Sequence, residues 1–238
     1  MLHAYCVRRA GDPPPDASLT GLDGAAVSLV ENAGLGAWLS RAGRAEPTPG
    51  RLREHDRVVR AALRTATPLP IRFGAPLRDE AAVAEMLATR SEELLAGLAR
   101  VSGRVEAGVT VRWDLHAERE RVLCSHPQLR HATHTPVTPV SGRQYLERRR
   151  GEHLLEDLLQ ERARALLSRV GAALEADLLP ASLTLLPLPE VAGMLAHLVP
   201  REEFAAYRRR FELAREALPE ATLTLTGPWA PYSFVGDV

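Results

Sequence analysis

The sequence predicts an α+β fold of two domains. Each has a ferredoxin-like antiparallel sheet covered by helices, and a long helix joins them. Three observations carry this prediction. Short apolar or alternating runs are interleaved with runs whose apolar residues recur at spacings of three and four. The first half reads strand, hairpin strands, helix, strand, helix, strand, and the second reads helix, strand, strand, helix, strand. A helical pattern from Gly142 to about Asp177 spans roughly 50 Å at 1.5 Å per residue, too long to cover one small core.

The elements follow in order. Leu2 to Val7 is a short apolar strand, ended by a polar turn with prolines at 13 to 15. Ala26 to Val30 and Leu35 to Ser40 form a hairpin around Asn32 and Gly34. Leu52, His55, Val58, Val59, Ala62, Leu63 and Ala66 share one face of a helix over 51–66, stopped by Pro68. Leu69 to Phe73 is a short apolar run ending at Gly74. A second helix starts with Asp79 as N-cap and buries Val83, Met86, Leu87, Leu94, Leu98 and Val101, until Gly103 ends it. Val105 to Trp113 alternates clearly and is the best-marked strand.

Residues 115–141 read as a polar loop with several histidines and prolines. The long helix carries Leu155, Leu158, Leu159, Leu166, Val170 and Leu174 as its stripe. Strands at 182–188 and 191–198, a helix over 200–218 and a strand at 222–226 complete the chain. The predicted organisation is therefore an N-terminal α+β domain over 1–114, the loop 115–141, a C-terminal α+β domain over 142–227, and an aromatic and proline-rich tail over 228–238.

Composition excludes several function classes. The 238 residues carry 30 basic and 30 acidic side chains, for a formal net charge of zero. No global field exists to gather nucleic acid or anionic lipid, so neither is an expected partner. Every basic residue is arginine. The runs Arg148 to Arg150 and Arg208 to Arg210 are flanked by glutamates and read as solvated, ion-paired helix surface. No stretch approaches ~18 uninterrupted apolar residues, and the N-terminus has no signal-peptide pattern. The expected location is cytoplasmic. Cys6 and Cys124 form no CxxC pair and read as two reduced thiols.

Catalytic motifs do not emerge. GxSxG, SxxK, HExxH, the Rossmann fingerprint and the P-loop are all missing from the sequence. The acidic pairs Glu92–Glu93 and Glu202–Glu203 read as solvated helix faces. His126, His131 and His134 cluster in the polar loop, with His116 nearby, but at no recognised ligand spacing. We read them as part of a solvated loop. The alternative is a ferredoxin-like ligand- or metal-binding domain with these histidines as its site. No enzyme activity, cofactor or metal is expected.

Three segments, with a fourth between them, point further. Leu69 to Gly74 (LPIRFG) follows a helix carrying Glu54-His55-Asp56 and precedes Asp79-Glu80. Gly103 to Glu106 leads into Val111-Arg112-Trp113-Asp114, and Gly227 to Val235 reads GPWAPYSFV. Gly142 to Arg150 (GRQYLERRR) precedes the long helix. In order and across nearly the whole chain, these resemble the gas vesicle protein F/L family. The family's tail has proline where this chain has Ala230. The resemblance implies an accessory structural protein required for gas vesicle formation, located with the vesicle. It implies contact with the small hydrophobic shell protein and other minor vesicle proteins, and no catalysis.

The matched residues also read on their own terms. Phe73 is expected in the core, with Gly74 at positive φ. The tail is expected to pack across its own protein, because Trp229 and Phe234 are costly to leave exposed. The other reading makes Arg72, Phe73, Trp229, Tyr232 and Phe234 partner-binding residues, since a stiff aromatic and proline-rich segment loses little entropy on docking.

Overall fold

The computed structural model describes residues 1–43, 46–74, 76–133, 142–174, 182–184 and 190–235; for residues 76, 131–133 and 182–184 it describes the backbone alone. Its strands are β1 (Leu2–Arg9), β2 (Ser28–Asn32), β3 (Leu35–Arg41), β4 (Leu69–Pro70), β5 (Pro76–Leu77), β6 (Arg104–Trp113), β7 (Ser182–Thr184), β8 (Val191–Pro200) and β9 (Ala221–Trp229). Its helices are α1 (Pro49–Thr65), α2 (Glu80–Thr89), α3 (Ser91–Val101), α4 (Leu115–Ser125), α5 (Pro127–Thr133), α6 (Gly142–Ala173) and α7 (Phe204–Ala217). The expected α+β class with antiparallel sheets under helices is the one observed.

Contacts group the chain into two units. One comprises Met1–Ala107, Leu198–Phe204 and Gly227–Val238; the other comprises Gly108–His197 and Ala205–Thr226.

The first sheet has the order β2-β3-β1-β4, with β5 also on β1, and every pairing is antiparallel. β1 sits centrally and is buried through Arg8, as a strand with neighbours on both edges and cover on its faces must be. The β2–β3 hairpin turns through Ala33 (φ 50°) and Gly34 (φ 76°). Two successive positive φ angles match the right-handed twist of the flanking strands. α1 is capped by Thr48, whose hydroxyl accepts from the Arg51 amide at 3.4 Å, and starts with Pro49. It lays His55, Val58, Val59, Ala61, Ala62 and Leu63 into the core. Leu52, assigned to that face by spacing, is instead 43% exposed because it lies in the first turn, short of the packed stretch. The core here gathers Tyr5, Cys6, Leu22, Trp38, Val58, Val59 and Ala62.

The single helix expected from Asp79 is two helices. Arg90 leaves helical geometry (φ −107°, ψ 17°) between α2 and α3, and its guanidinium pairs with Glu93 at 2.9 Å. Val83 and Leu87 on one side, and Leu94, Leu98 and Val101 on the other, are still buried. Met86 is half-buried.

The second sheet has the order β7-β8-β6-β9. Along the chain it runs β6, helices, β7, β8, α7, β9. Its first strand lies between the third and fourth, and its second lies at an edge. That is the ferredoxin-like βαββαβ arrangement. β6, which chain order placed with the first-half elements, is a central strand of this sheet.

The segment 115–141, expected as a polar loop, instead holds two helices, α4 and α5, separated at His126, and its residues 134–141 lie outside the described residues. Asp114 caps α4 by accepting from the Ala117 amide at 2.9 Å. The helix hides from a hydrophobicity pattern because part of its buried face is charged. Glu118 is 8% exposed and accepts from Arg162 of α6 at 2.6 Å and from Arg121. Val122, Leu123 and Leu129 pack with Leu155. Cys124, placed in the loop by sequence, is exposed on α4. The expected strand at 182–188 is seen at 182–184, and residues 185–188 lie outside the described residues, as do 175–177 of the expected helix.

Candidate functional site

The five sequence-nominated residues all fall in the first unit, in two segments. Residues 69–74 carry Arg72 and Phe73; the C-terminal segment carries Trp229, Tyr232 and Phe234.

The turn at 69–74 is fixed from below. β4 pairs with β1 through Cys6–Pro70 and Val7–Leu69, and the Ile71 amide donates to the Tyr5 carbonyl at 2.9 Å. The Ile71 carbonyl meets His55 Nε2 at 3.0 Å, and His55 Nδ1 meets His3 Nε2 at 2.8 Å. Both imidazoles are 3% exposed. The directions follow from chemistry. A carbonyl only accepts, so His55 Nε2 carries the proton. His55 is neutral, so its Nδ1 accepts, and His3 Nε2 donates. Burial, then the neighbouring His55 and Arg51, pushes His3 down to about 4. Burial also lowers His55 to about 4, against the opposing pull of the Ile71 carbonyl.

The Phe73 ring caps this pair, with centroids 5.1 Å from His3 and 5.7 Å from His55. Phe73 is half-buried against the core, Arg72 beside it is exposed, and Gly74 has φ 98°. The relay thus fixes the backbone of a turn on which Arg72 is exposed and Phe73 half-buried. His3 escaped the sequence reading. Its only signal was polarity in an apolar strand, and its partner lies 52 residues away.

The C-terminal segment lies on its own unit, as its composition led us to expect. Pro228 and Trp229, assigned to a tail, belong to β9. The Gly227–Pro228 peptide is cis. Gly227 has φ 113°, and a Cβ there would stand 2.7 Å from the Glu106 carbonyl oxygen, so no other residue fits without moving backbone. The Arg60 guanidinium lies over the Trp229 ring, 4.1 Å from its centroid, and bonds Asp56 at 2.5 Å. Ala230, Pro231 and Val235 are buried, and Tyr232 packs half-buried against the core. Burial raises the Tyr232 phenol well above its ordinary range.

A carboxylate latches the segment. Ser233 donates its amide to Glu106 Oε2 and its hydroxyl to Oε1, both at 2.8 Å. Glu106 is 9% exposed, and burial raises its pKa while the Ser233 bonds oppose the rise. Arg100 donates to the Phe234 carbonyl. Trp229 and Phe234 are half-buried.

The polar groups at both segments are engaged within the fold. The imidazoles are spent on each other and on a carbonyl, and Glu106 is spent on Ser233. Among the described residues, no group of three histidine, cysteine, aspartate or glutamate side chains is placed to hold a metal. Of the histidines nominated as an alternative site, His126 turns its Nδ1 to the Val122 carbonyl at 3.2 Å. The side chains of His131 and His134 lie outside the described residues. No helix among the described residues is long and apolar enough to cross a membrane.

Comparison with known proteins places this architecture. Residues 1–236 match the family model described as gas vesicle synthesis protein GvpL/GvpF. Gas vesicle protein L of Streptomyces sp. (strain CB03234) is 32% identical over 206 residues, covering 84% of this chain and 70% of the relative. Gas vesicle protein F of the same strain is 28% identical over 228 residues, covering 94% and 90%. The crystal structure of GvpF from Microcystis aeruginosa superposes with a TM-score of 0.81 at 19% identity, and that from Anabaena sp. PCC7120 with 0.78 at 21%. Each match covers 99% of this chain and 98% of the other.

Proposed function

Because this chain belongs to the gas vesicle synthesis protein GvpL/GvpF family, we propose that it is a non-enzymatic accessory factor that engages the small hydrophobic shell protein during nucleation or assembly of the vesicle. The observation that carries the reading is the family match over residues 1–236. The geometry adds a candidate contact. Arg72 is exposed next to a half-buried Phe73, on a turn held rigidly by the His3–His55 pair. Trp229, Tyr232 and Phe234 are half-buried aromatics on the same unit. Rigid aromatics and arginine supply contact area at low entropic cost, which suits recognition of an apolar, assembly-prone partner. Other minor vesicle proteins are further partners of this reading, which places the chain at the gas vesicle within the cytoplasm.

Co-expression with the shell protein and affinity capture of this chain tests it. Capture of the shell protein is expected, with a clear loss for Arg72→Glu and for Phe234→Ala, neither of which is a buried core residue. Absence of capture from the wild-type chain under conditions where both proteins are soluble overturns the shell-protein reading.

A further inference from the structure

The sheet edges of this chain are protected unequally. A strand with one neighbour leaves a row of N–H and C=O groups open to pairing with another strand, so edges are ordinarily short, charged, broken by proline or covered. The first sheet follows that rule. β2 carries exposed Glu31, and the Asn32 side-chain amide donates to the Ala84 carbonyl of α2 at 2.7 Å, which sets a helix beside that edge. β4 and β5 are two residues long, and each contains a proline. In the second sheet, β7 spans three residues. β9 departs from the rule. It is nine residues long, and among the described residues it has a strand beside it only on the β6 side. From Ala221 to Gly227 it holds neither a charge nor a proline.

The open stretch is also symmetric. Thr222, Thr224 and Thr226 are exposed on one face, while Leu223 is buried and Leu225 half-buried on the other. Set a second β9 antiparallel to the first, with a twofold axis through Thr224. Thr224 then opposes its own mate, Thr222 opposes Thr226, and Leu223 opposes Leu225. Threonine pairs continue the exposed face and leucine pairs the covered face, and both are favourable cross-strand neighbours. A slip of one residue would set threonine opposite leucine throughout. The register works whichever amides point outward. If those of residue 224 do, they bond each other across the axis; if those of 223 and 225 do, they bond in the same alternating manner. Such a pairing closes with twofold symmetry and uses up the open edge of both copies.

We infer that the free edge of β9 pairs with β9 of a second copy of this chain, antiparallel and with Thr224 on the twofold axis, joining two four-stranded sheets into one continuous sheet. Backbone bonds alone would accept any strand. The Thr-Leu-Thr-Leu-Thr run favours a second copy, because it meets itself in kind on both faces and gives half-buried Leu225 the cover of a leucine.

Sedimentation velocity of the full chain tests this between about 5 and 200 µM, a range that brackets micromolar association. The wild type is expected to dimerise reversibly and almost equally at low and high salt, since no charged pair holds the ladder. Thr224→Lys and Thr224→Glu each place two like charges face to face across the axis. Each is expected to raise the dimer dissociation constant at least roughly tenfold. An equimolar mixture of the two variants pairs lysine with glutamate and is expected to associate again at low salt, more weakly at high salt. Position 224 is exposed, so far-UV circular dichroism of both variants should match the wild type. A wild-type monomer across the whole range overturns the inference. So does a dimer indifferent to both substitutions, or a mixture that associates no better than its components. A monomer whose β9 amides gain hydrogen-exchange protection only when the shell protein is added also overturns it, and assigns the edge to that protein. Failure of the self-pairing leaves the shell-protein reading standing, since that rests on residues of the other unit.

Discussion

Replacing His55 by leucine isolates what holds the 69–74 turn. Leucine nearly conserves volume but removes both ring nitrogens. It strands the Ile71 carbonyl and the His3 Nε2 proton in a site where both imidazoles are 3% exposed. Each orphaned buried group costs about 1–3 kcal/mol, so the single variant should lose about 2–5 kcal/mol. His3→Leu strands His55 Nδ1 alone and should lose about 1–3 kcal/mol. The double variant leaves only the Ile71 carbonyl unpaired. It should therefore cost less than the sum of the singles by at least about 1 kcal/mol. Hydrogen exchange of the β1 amides reads this within the first unit, without assuming that the whole chain unfolds in one step. His55→Leu is expected to raise their opening constant by roughly 30-fold to several thousandfold. Single variants within about 0.5 kcal/mol of wild type, or strictly additive effects, would refute the buried relay from His3 through His55 to Ile71.

Four further outcomes follow from the same geometry. Gly227→Ala should destabilise by about 2–4 kcal/mol, as read from the urea midpoint, because its φ and the Glu106 carbonyl both reject a Cβ. Ser233→Ala removes one of two bonds to Glu106 and should cost about 1–2 kcal/mol, with increased protease access near the C-terminus. Ala33→Asn should raise stability by about 0.5–1 kcal/mol, since Ala33 holds φ 50° in a turn that favours asparagine; a loss would count against that turn geometry. His3, His55 and His197 are each lowered to about 4 by burial. The unfolded chain thus takes up protons first. Stability should be full above about pH 6.5 and fall progressively as pH drops toward 4, and the His3→Leu, His55→Leu double variant should flatten that fall in thermal melts.

Local signals carried much of the fold. Alternation marked β6, spacing marked α1 and the packed part of α6, and the pair of positive φ angles at residues 33 and 34 agrees with the hairpin read from Asn32 and Gly34. What escaped was non-local. The sheet that β6 joins depends on β8 and β9, which lie more than 70 residues on. α4 was read as loop because Glu118 buries against Arg162 as an ion pair, which no hydropathy pattern registers. The first turn of α1 was over-assigned to the core through Leu52. At the candidate site, the aromatics announced themselves and the self-packing of the tail followed from their cost in water. The groups that hold them did not. Ser233 and Glu106 are 127 residues apart and His3 and His55 are 52 apart, so each looked like an ordinary polar residue until the chain was folded.

The most direct test of the central claim is made in cells that carry a complete gas vesicle gene set, counting vesicles by electron microscopy with and without this chain. Vesicles should be lost when the chain is removed, and restored by the wild-type chain but not by Arg72→Glu produced at equal level. Normal vesicle numbers in its absence would contradict a required role in vesicle formation.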